Sequence, residues 1–167
     1  MTKIRGFEAV AKEHITAYNV FTDEKGVKHS FAKEITLPTR ADKHSAGYDF
    51  YIPKEVVLAP MQKTIIWTDV KAYMQKDEML NIYIRSSLAI KQGIMLSNNV
   101  GIIDSSYYNN EGNDGNIGVS LVNTTGKTVT LAEGSRFAQG IFVKYLVADE
   151  DNVLASGRAG GIGSSGK

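Results

Sequence analysis

Five short stretches of this chain gather side chains suited to phosphate and water. IRSSLA sets Arg85 at the end of an apolar strand, directly before Ser86, Ser87 and a helix start. A guanidinium fork and hydroxyls at a helix start suit phosphate oxygens. NNVGIIDSSYYNNEG buries Asp104 behind the Gly101-Ile102-Ile103 triplet and follows it with Tyr107 and Tyr108. A carboxylate is ionised at neutral pH and can accept the proton of an attacking water. SRFAQG places Arg136 and Gln139 beside a strong strand, and SAGYDF puts Asp49 after a Gly-aromatic step. The fifth stretch is the end, SGRAGGIGSSGK. Its glycine N–H groups can crowd onto an anion, its serines add donors, and Arg158 adds a charged fork.

Each stretch also has an ordinary reading. Asp49 fits a turn, and Arg85 fits one half of a surface ion pair. Asp104 fits the cap of a turn through Ser105 and Ser106, Gln139 fits any strand, and the tail fits a frayed end or linker.

The elements that would position these residues are strands. MLNIYIRSS alternates Leu80, Ile82 and Ile84 against Asn81, Tyr83 and Arg85. NIGVSLVN puts Ile117, Val119 and Leu121 on one face, and KTVTL does the same with Val129 and Leu131. KTIIWTDVKAYM is β-branched and aromatic in bursts, and GIFVKYLVA reads as a longer apolar strand. Such alternation marks half-buried strands. Turn material separates them at Pro53-Lys54, Ala59-Pro60, Lys76-Asp77-Glu78, Thr125-Gly126-Lys127 and Glu133-Gly134. The spacing predicts a sandwich or barrel with no βαβ rhythm. One short helix is predicted over Ser86–Gln92, capped by Ser86 or Ser87 and stopped by Gly93. Residues 7–18 fit a helix on paper. A first strand at about 4–11 followed by a polar excursion to about 34 fits them as well.

At 167 residues the chain suits one domain. A net charge of +1 gives no global pull toward nucleic acid or membrane, so an anion site has to be local. There is no cysteine, which excludes disulfides, thiolate metal sites and a cysteine nucleophile. His14, His29 and His44 are scattered through a polar first quarter and read as surface residues. No apolar run is long enough to span a bilayer and no leader pattern opens the chain, so a cytoplasmic protein is expected.

In order, the five stretches resemble the five motifs of the trimeric, all-β dUTPase family. The likeness runs from about Ile35, in ITLPTRADKHSAGYDF, to Lys167. It implies a jelly-roll-like β barrel over residues 1–152, with 1–34 divergent, and a flexible arm over 153–167 that closes on bound nucleotide. It further implies hydrolysis of dUTP to dUMP and pyrophosphate, which keeps uracil out of DNA and supplies dUMP for dTMP synthesis. Homotrimers with shared active sites are expected.

By this resemblance Asp104 orients and activates the water, with Gln139 near the phosphates and Arg85, Ser86 and Ser87 on them. Tyr107 lies under the deoxyribose, where its ring excludes a 2′-hydroxyl. Asn98, Gly101, Ile103 and the backbone of the 98–107 hairpin form the uracil pocket. Asp49 holds a water on Mg2+, which sits on the triphosphate, while Arg136 is structural and tied to the Asp49 region. Arg158, Gly160, Gly161, Ile162, Ser164 and Ser165 belong to the arm.

Three departures from the family pattern stand out. Ile162 occupies the arm position where an aromatic residue would stack on uracil. About six residues, 109–114, are inserted beside Tyr107. The N-terminal part is longer than the motifs need. Together they resemble dUTPases of phages and prophages of Gram-positive bacteria. The related dCTP deaminases have an arginine where Ile90 stands and a glutamate where Ser120 stands, which argues against deamination. Another alternative is a dUTPase-like protein that docks a repressor through 109–114. A plain structural jelly roll would leave Arg85, Asp104, Tyr107 and Arg158 without a shared purpose.

Overall fold

The computed structural model describes residues 2–152. Its main sheet has five antiparallel strands: β4 (Thr39–Arg40), β5 (Tyr48–Tyr51), β9 (Glu78–Ile84), β11 (Gly101–Asp104) and β14 (Arg136–Lys144), in the order β11-β9-β14-β5-β4. A second sheet runs β10 (Ile94–Leu96), β12 (Gly118–Asn123), β7 (Lys63–Trp67). Two further pairs join β1 (Gly6–Ala9) to β8 (Val70–Tyr73) and β6 (Val56–Leu58) to β13 (Val129–Leu131). The one α-helix among the described residues, α1 (Ser86–Gln92), follows β9. This is the all-β, jelly-roll-like architecture expected.

The alternation does what period 2 requires. Leu80 and Ile82 of β9 are buried, as are Val119 and Leu121 of β12 together with the preceding Ile117. They meet Phe50, Ile52, Leu58, Ile94, Leu131 and Phe137 in one core. Each such side chain contributes about 1.5–3 kcal/mol on burial. Asn123, fully buried at the end of β12, knits the 124–127 turn to the end of β6. Its amide donates to the carbonyls of Leu58 and Lys127 at 3.0 and 2.7 Å, and its carbonyl oxygen accepts from Thr125.

Several expectations are corrected. The last strand begins at Arg136 and stops at Lys144, and Leu146 and Val147 beyond it are exposed. Apolar type without a partner strand does not extend a ladder. Of the two readings of residues 7–18 the strand holds and the helix does not: β1 (Gly6–Ala9) is followed by a single 3-10 turn (Lys12–His14). Phe7 explains the strand, because its ring packs against Tyr48, Phe50 and Phe142 at 5.3–5.6 Å between centroids. The polar excursion contains a hairpin, β2 (Tyr18–Thr22) and β3 (Lys28–Ala32), whose strands pair only with each other among the described residues. The N-cap of α1 is Arg85, in extended backbone, with no side-chain cap bond. Ser86 and Ser87 are therefore the first helical residues, and Gly93 stops the helix at φ 62° as expected.

Candidate active site

Asp49, Arg85, Arg136 and Gln139 converge at one end of the five-stranded sheet. Gln139, on the central strand β14, lies opposite Asp49 of β5 and opposite Tyr83 of β9. Arg85 follows the last residue of β9, and its backbone N–H donates to the carbonyl of Phe137 at 3.1 Å. Asp49 is 6% exposed. Arg85 Nε lies 3.2 Å from its Oδ1, and Arg136 Nη1 donates to its Oδ2 at 3.1 Å. A buried carboxylate needs such countercharge. Two cations on one anion leave the cluster at +1 (2 − 1). Both arginine side chains still reach solvent, at 28% and 44% exposure. A positive spot open to water and held by strands is a receptor for a polyanion. Gly47 passes so near the Gln139 carboxamide that a Cβ there would collide with it.

These placements settle the open readings. Asp49 belongs to a strand rather than a turn, and Arg85 is in an ion pair whose partner is buried. Arg136 reaches Asp49, as expected. The resemblance put Asp49 on a magnesium-bound water, and the structure engages both of its oxygens with guanidinium groups. Ser86 and Ser87 are exposed at the start of α1, beside Arg85.

The second group of candidate residues lies elsewhere. β11 runs antiparallel to β9, with Gly101 opposite Ile82, Ile103 opposite Leu80 and Asp104 opposite Met79. Asp104 is exposed at the strand end rather than buried. It occupies the N-cap position of a 3-10 turn, Ser105–Tyr107, without a side-chain cap bond, so it does not serve the turn in the way the ordinary reading supposed. Tyr107 is buried at 5% exposure. Asn98 is exposed where the chain leaves β10, and its carbonyl accepts from Val100 at 2.7 Å. β10 pairs with β12, not with β11. The expected 98–107 hairpin is thus a crossing between two sheets.

Met79 is on β9 and Arg85 directly follows it, six positions on. At a rise of about 3.3 Å per residue, the backbones at Asp104 and Arg85 stand roughly 20 Å apart within one chain.

The insertion 109–114 folds inward. Asn110 is buried, and the Asp114 carboxylate accepts from Lys71 Nζ at 2.9 Å and from the Ala11 N–H at 2.7 Å. Burial opposes ionisation of Asp114, yet Lys71 and the Ala11 N–H hold it below the usual aspartate value. Next to it, burial and the Glu8 carboxylate push the Tyr108 hydroxyl up to about 12. Sequence reading missed this region's centre, Asp69. It is fully buried at φ 57° and accepts from the N–H groups of Thr16 and Ala17 and from Asn116 Nδ2. The available signal was a polar pair, Thr68-Asp69, between two apolar bursts.

Among the described residues no group of three histidine or acidic side chains could hold a metal ion. His29 and His44 are exposed, His14 is half-buried, and they do not converge. Ser120, where a deaminase would carry its glutamate, bonds the Ser97 hydroxyl at 3.0 Å, and Ile90 is 82% exposed. Arg158, Gly160, Gly161, Ile162, Ser164 and Ser165 lie outside the described residues. No helix among the described residues is long and apolar enough to cross a membrane.

Comparison with known proteins points one way. A family profile described as dUTPase matches residues 33–166. A deoxyuridine 5′-triphosphate nucleotidohydrolase of Lactococcus lactis is 41% identical over 165 residues, covering 98% of this chain and 99% of that protein. The crystal structure of a dUTPase from Streptococcus mutans superposes with a TM-score of 0.69 at 37% identity, over 86% of this chain and 98% of that one. A dUTPase from phage phi11 of S. aureus shares the fold at 20% identity, with a TM-score of 0.66 over 92% and 97% of the two chains.

Proposed function

Because this chain belongs to the dUTPase family and is a dUTP diphosphatase, we propose that it cleaves dUTP at the α-phosphorus in a site completed between two copies of the chain. The observation that carries this reading is the separation of roughly 20 Å between Asp104 and the arginine cluster. That span of backbone separates a water activated by Asp104 from phosphates held by Arg85 of the same chain. They meet when the carboxylate end of one copy faces the arginine end of the next, as a closed cyclic oligomer, here a homotrimer, allows.

In this site Arg85, Ser86 and Ser87 bind phosphate oxygens and Gln139 orients the phosphates and water. Asn98, Gly101 and Ile103 line the uracil pocket, and the Tyr107 ring lies under the deoxyribose and excludes a 2′-hydroxyl. Asp104 accepts the water proton while the water oxygen bonds to the α-phosphorus. The bond to the bridging oxygen breaks and pyrophosphate leaves. Arg158, Gly160, Gly161, Ile162, Ser164 and Ser165 close residues 153–167 over the nucleotide as an arm on the 1–152 domain. Ile162 covers the base without ring stacking.

The donor set fits Mg2+ brought by the triphosphate. Asp49 is the carboxylate of the arginine end, and only the lone pairs its arginines leave over are open to a metal-bound water. When bound, Mg2+ offsets phosphate charge. dUMP for thymidylate synthesis, uracil-free DNA and a cytoplasmic setting follow from the activity.

The test mixes two impaired variants. Arg85→Ala and Asp104→Asn each cut pyrophosphate release from dUTP by about 10^2-fold or more. Unfolded and refolded together, they regain it at about one quarter of the sites, the fraction in which intact halves face each other. A mixture as inactive as its parts would place the whole site in one chain.

A further inference from the structure

The inserted residues 109–114 hold the one tyrosine that the site uses to read the sugar. We infer that this insertion is a positioning device for substrate selection, in which Asn113 fixes the Tyr107 ring. The inference rests on the reading of Tyr107 as the wall under the deoxyribose.

The hydroxyl of Tyr107 is held from two sides. Its O–H donates to the Asn116 carbonyl at 2.8 Å, and Asn113 Nδ2 donates to its oxygen at 2.8 Å. Asn113 is itself fixed. The same amide nitrogen donates to the Asn116 carbonyl at 3.2 Å, and its Oδ1 accepts from Asn110 Nδ2 at 2.8 Å and from the Gly115 N–H at 3.2 Å. Asn110, 6% exposed, uses every polar position it has. Its Nδ2 also donates to the Tyr107 carbonyl at 2.9 Å, and its Oδ1 accepts from the N–H groups of Gly112 and Asn113 at 3.0 and 3.2 Å. The turn back needs Gly115. Its φ is 83°, and a Cβ there would stand 2.8 Å from the Tyr107 carbonyl oxygen. Lys71 ties the loop to β8 through Asn109 at 2.7 Å and Asp114 at 2.9 Å.

A steric wall rejects one extra oxygen only if it cannot yield. A ring free to swing by a fraction of an ångström would admit a ribose. A ring tethered at its far end must break a hydrogen bond to do so. That cost falls on the ribonucleotide transition state alone, so it raises discrimination without changing the reaction of the deoxynucleotide. Asn113 touches no substrate, so it is a positioning residue.

The readout is the ratio of kcat/KM for UTP to that for dUTP, with Mg2+ present. Asn113→Ala raises the ratio about fivefold, the worth of one hydrogen bond. Tyr107→Phe, which keeps the ring and removes its tether, moves the ratio in the same direction, and the double variant adds nothing beyond it. A merely structural Asn113 would slow both substrates together and leave the ratio unchanged, which would overturn the inference. Tyr107→Ala separates the two failures. If it leaves the ratio unchanged, the sugar-wall reading is wrong. If it raises the ratio while Asn113→Ala and Tyr107→Phe do not, only the positioning role is wrong. Should Asn113→Ala fail to fold, Asn113→Ser, which also removes the Nδ2 donor to the Tyr107 hydroxyl, is read in its place.

Discussion

The two ends of β9 are built from different chemistry. At the Arg85 end, two arginines, one just past β9 and one on β14, are locked onto a buried aspartate of β5, Asp49. At the Met79 end, the exposed carboxylate of Asp104 stands beside a neutral scaffold of asparagines around Tyr107. The first end keeps a surplus positive charge ready for phosphate, and its binding chemistry is inseparable from its stability. The second keeps its carboxylate at the exposed strand end and delegates shape to amides. Substitutions should therefore cost stability at one end and turnover at the other.

The largest expected effect is on turnover. Asp104→Asn keeps the size of the side chain and removes its basicity. We expect kcat to fall by about 10^2–10^4, the usual contribution of a positioned base. Because Asp104 is exposed and asparagine keeps its size, the variant's stability should change by no more than about 0.5 kcal/mol. A variant that loses stability rather than rate would erase the contrast between the ends.

Asp49→Asn is the complementary change. It leaves Arg85 and Arg136 facing each other without an anion between them. Breaking a fully buried pair costs about 3–5 kcal/mol, and the partial exposure of both arginines reduces this to about 2 kcal/mol. Urea denaturation would read the loss as a lower midpoint at constant slope. An unchanged midpoint would mean that strand pairing alone holds the arginines.

The same contrast explains what the sequence revealed. The strands were legible because their signal is local: alternation in β9 and β12 needs only a core on one side. The charged cluster was legible through its motifs, since Asp49, Arg136 and Gln139 sit in strands, and Arg85 directly follows one, whose register is set by that alternation. The inserted loop was not. Asn109-Asn110-Glu111-Gly112-Asn113-Asp114 is polar throughout and reads as a solvated loop or docking surface. Asn110 is nonetheless buried, because its amide satisfies itself within the turn. Composition cannot distinguish an asparagine that faces water from one that replaces it. Asp69 was hidden for the same reason, its partners Thr16 and Ala17 lying 53 and 52 residues away. The strand expected through Ala148 failed in the opposite sense, since apolar residues predict pairing only where a neighbour is present.

The smallest expected effect is a pH response within the Tyr107 half. The N-terminal strand is tied down by carboxylates. Arg5 forks onto Glu78, and Asp114 accepts from the Ala11 N–H. The Arg5 guanidinium holds Glu78 below the usual glutamate value, and Asp114 lies low as well. A carboxylate whose folded value is depressed stabilises the fold fully above its unfolded value, here 4.5 for Glu78 and 3.8 for Asp114. That stability is lost as pH falls through the lower folded values. The asparagine side chains that hold Tyr107 do not titrate, and of the charged ties only Asp114–Lys71 reaches their loop, which Asn109 also joins to Lys71. Acid should therefore free β1 first, and the Phe7 ring should leave Tyr48, Phe50 and Phe142 while Tyr107 remains in place. NMR of the two rings during acid titration would follow each separately. Loss of the Phe7 contacts already near neutral pH would show that these carboxylates do not hold the strand. Simultaneous release of Phe7 and Tyr107 would show that the asparagine scaffold depends on the charged ties and is not a separate device.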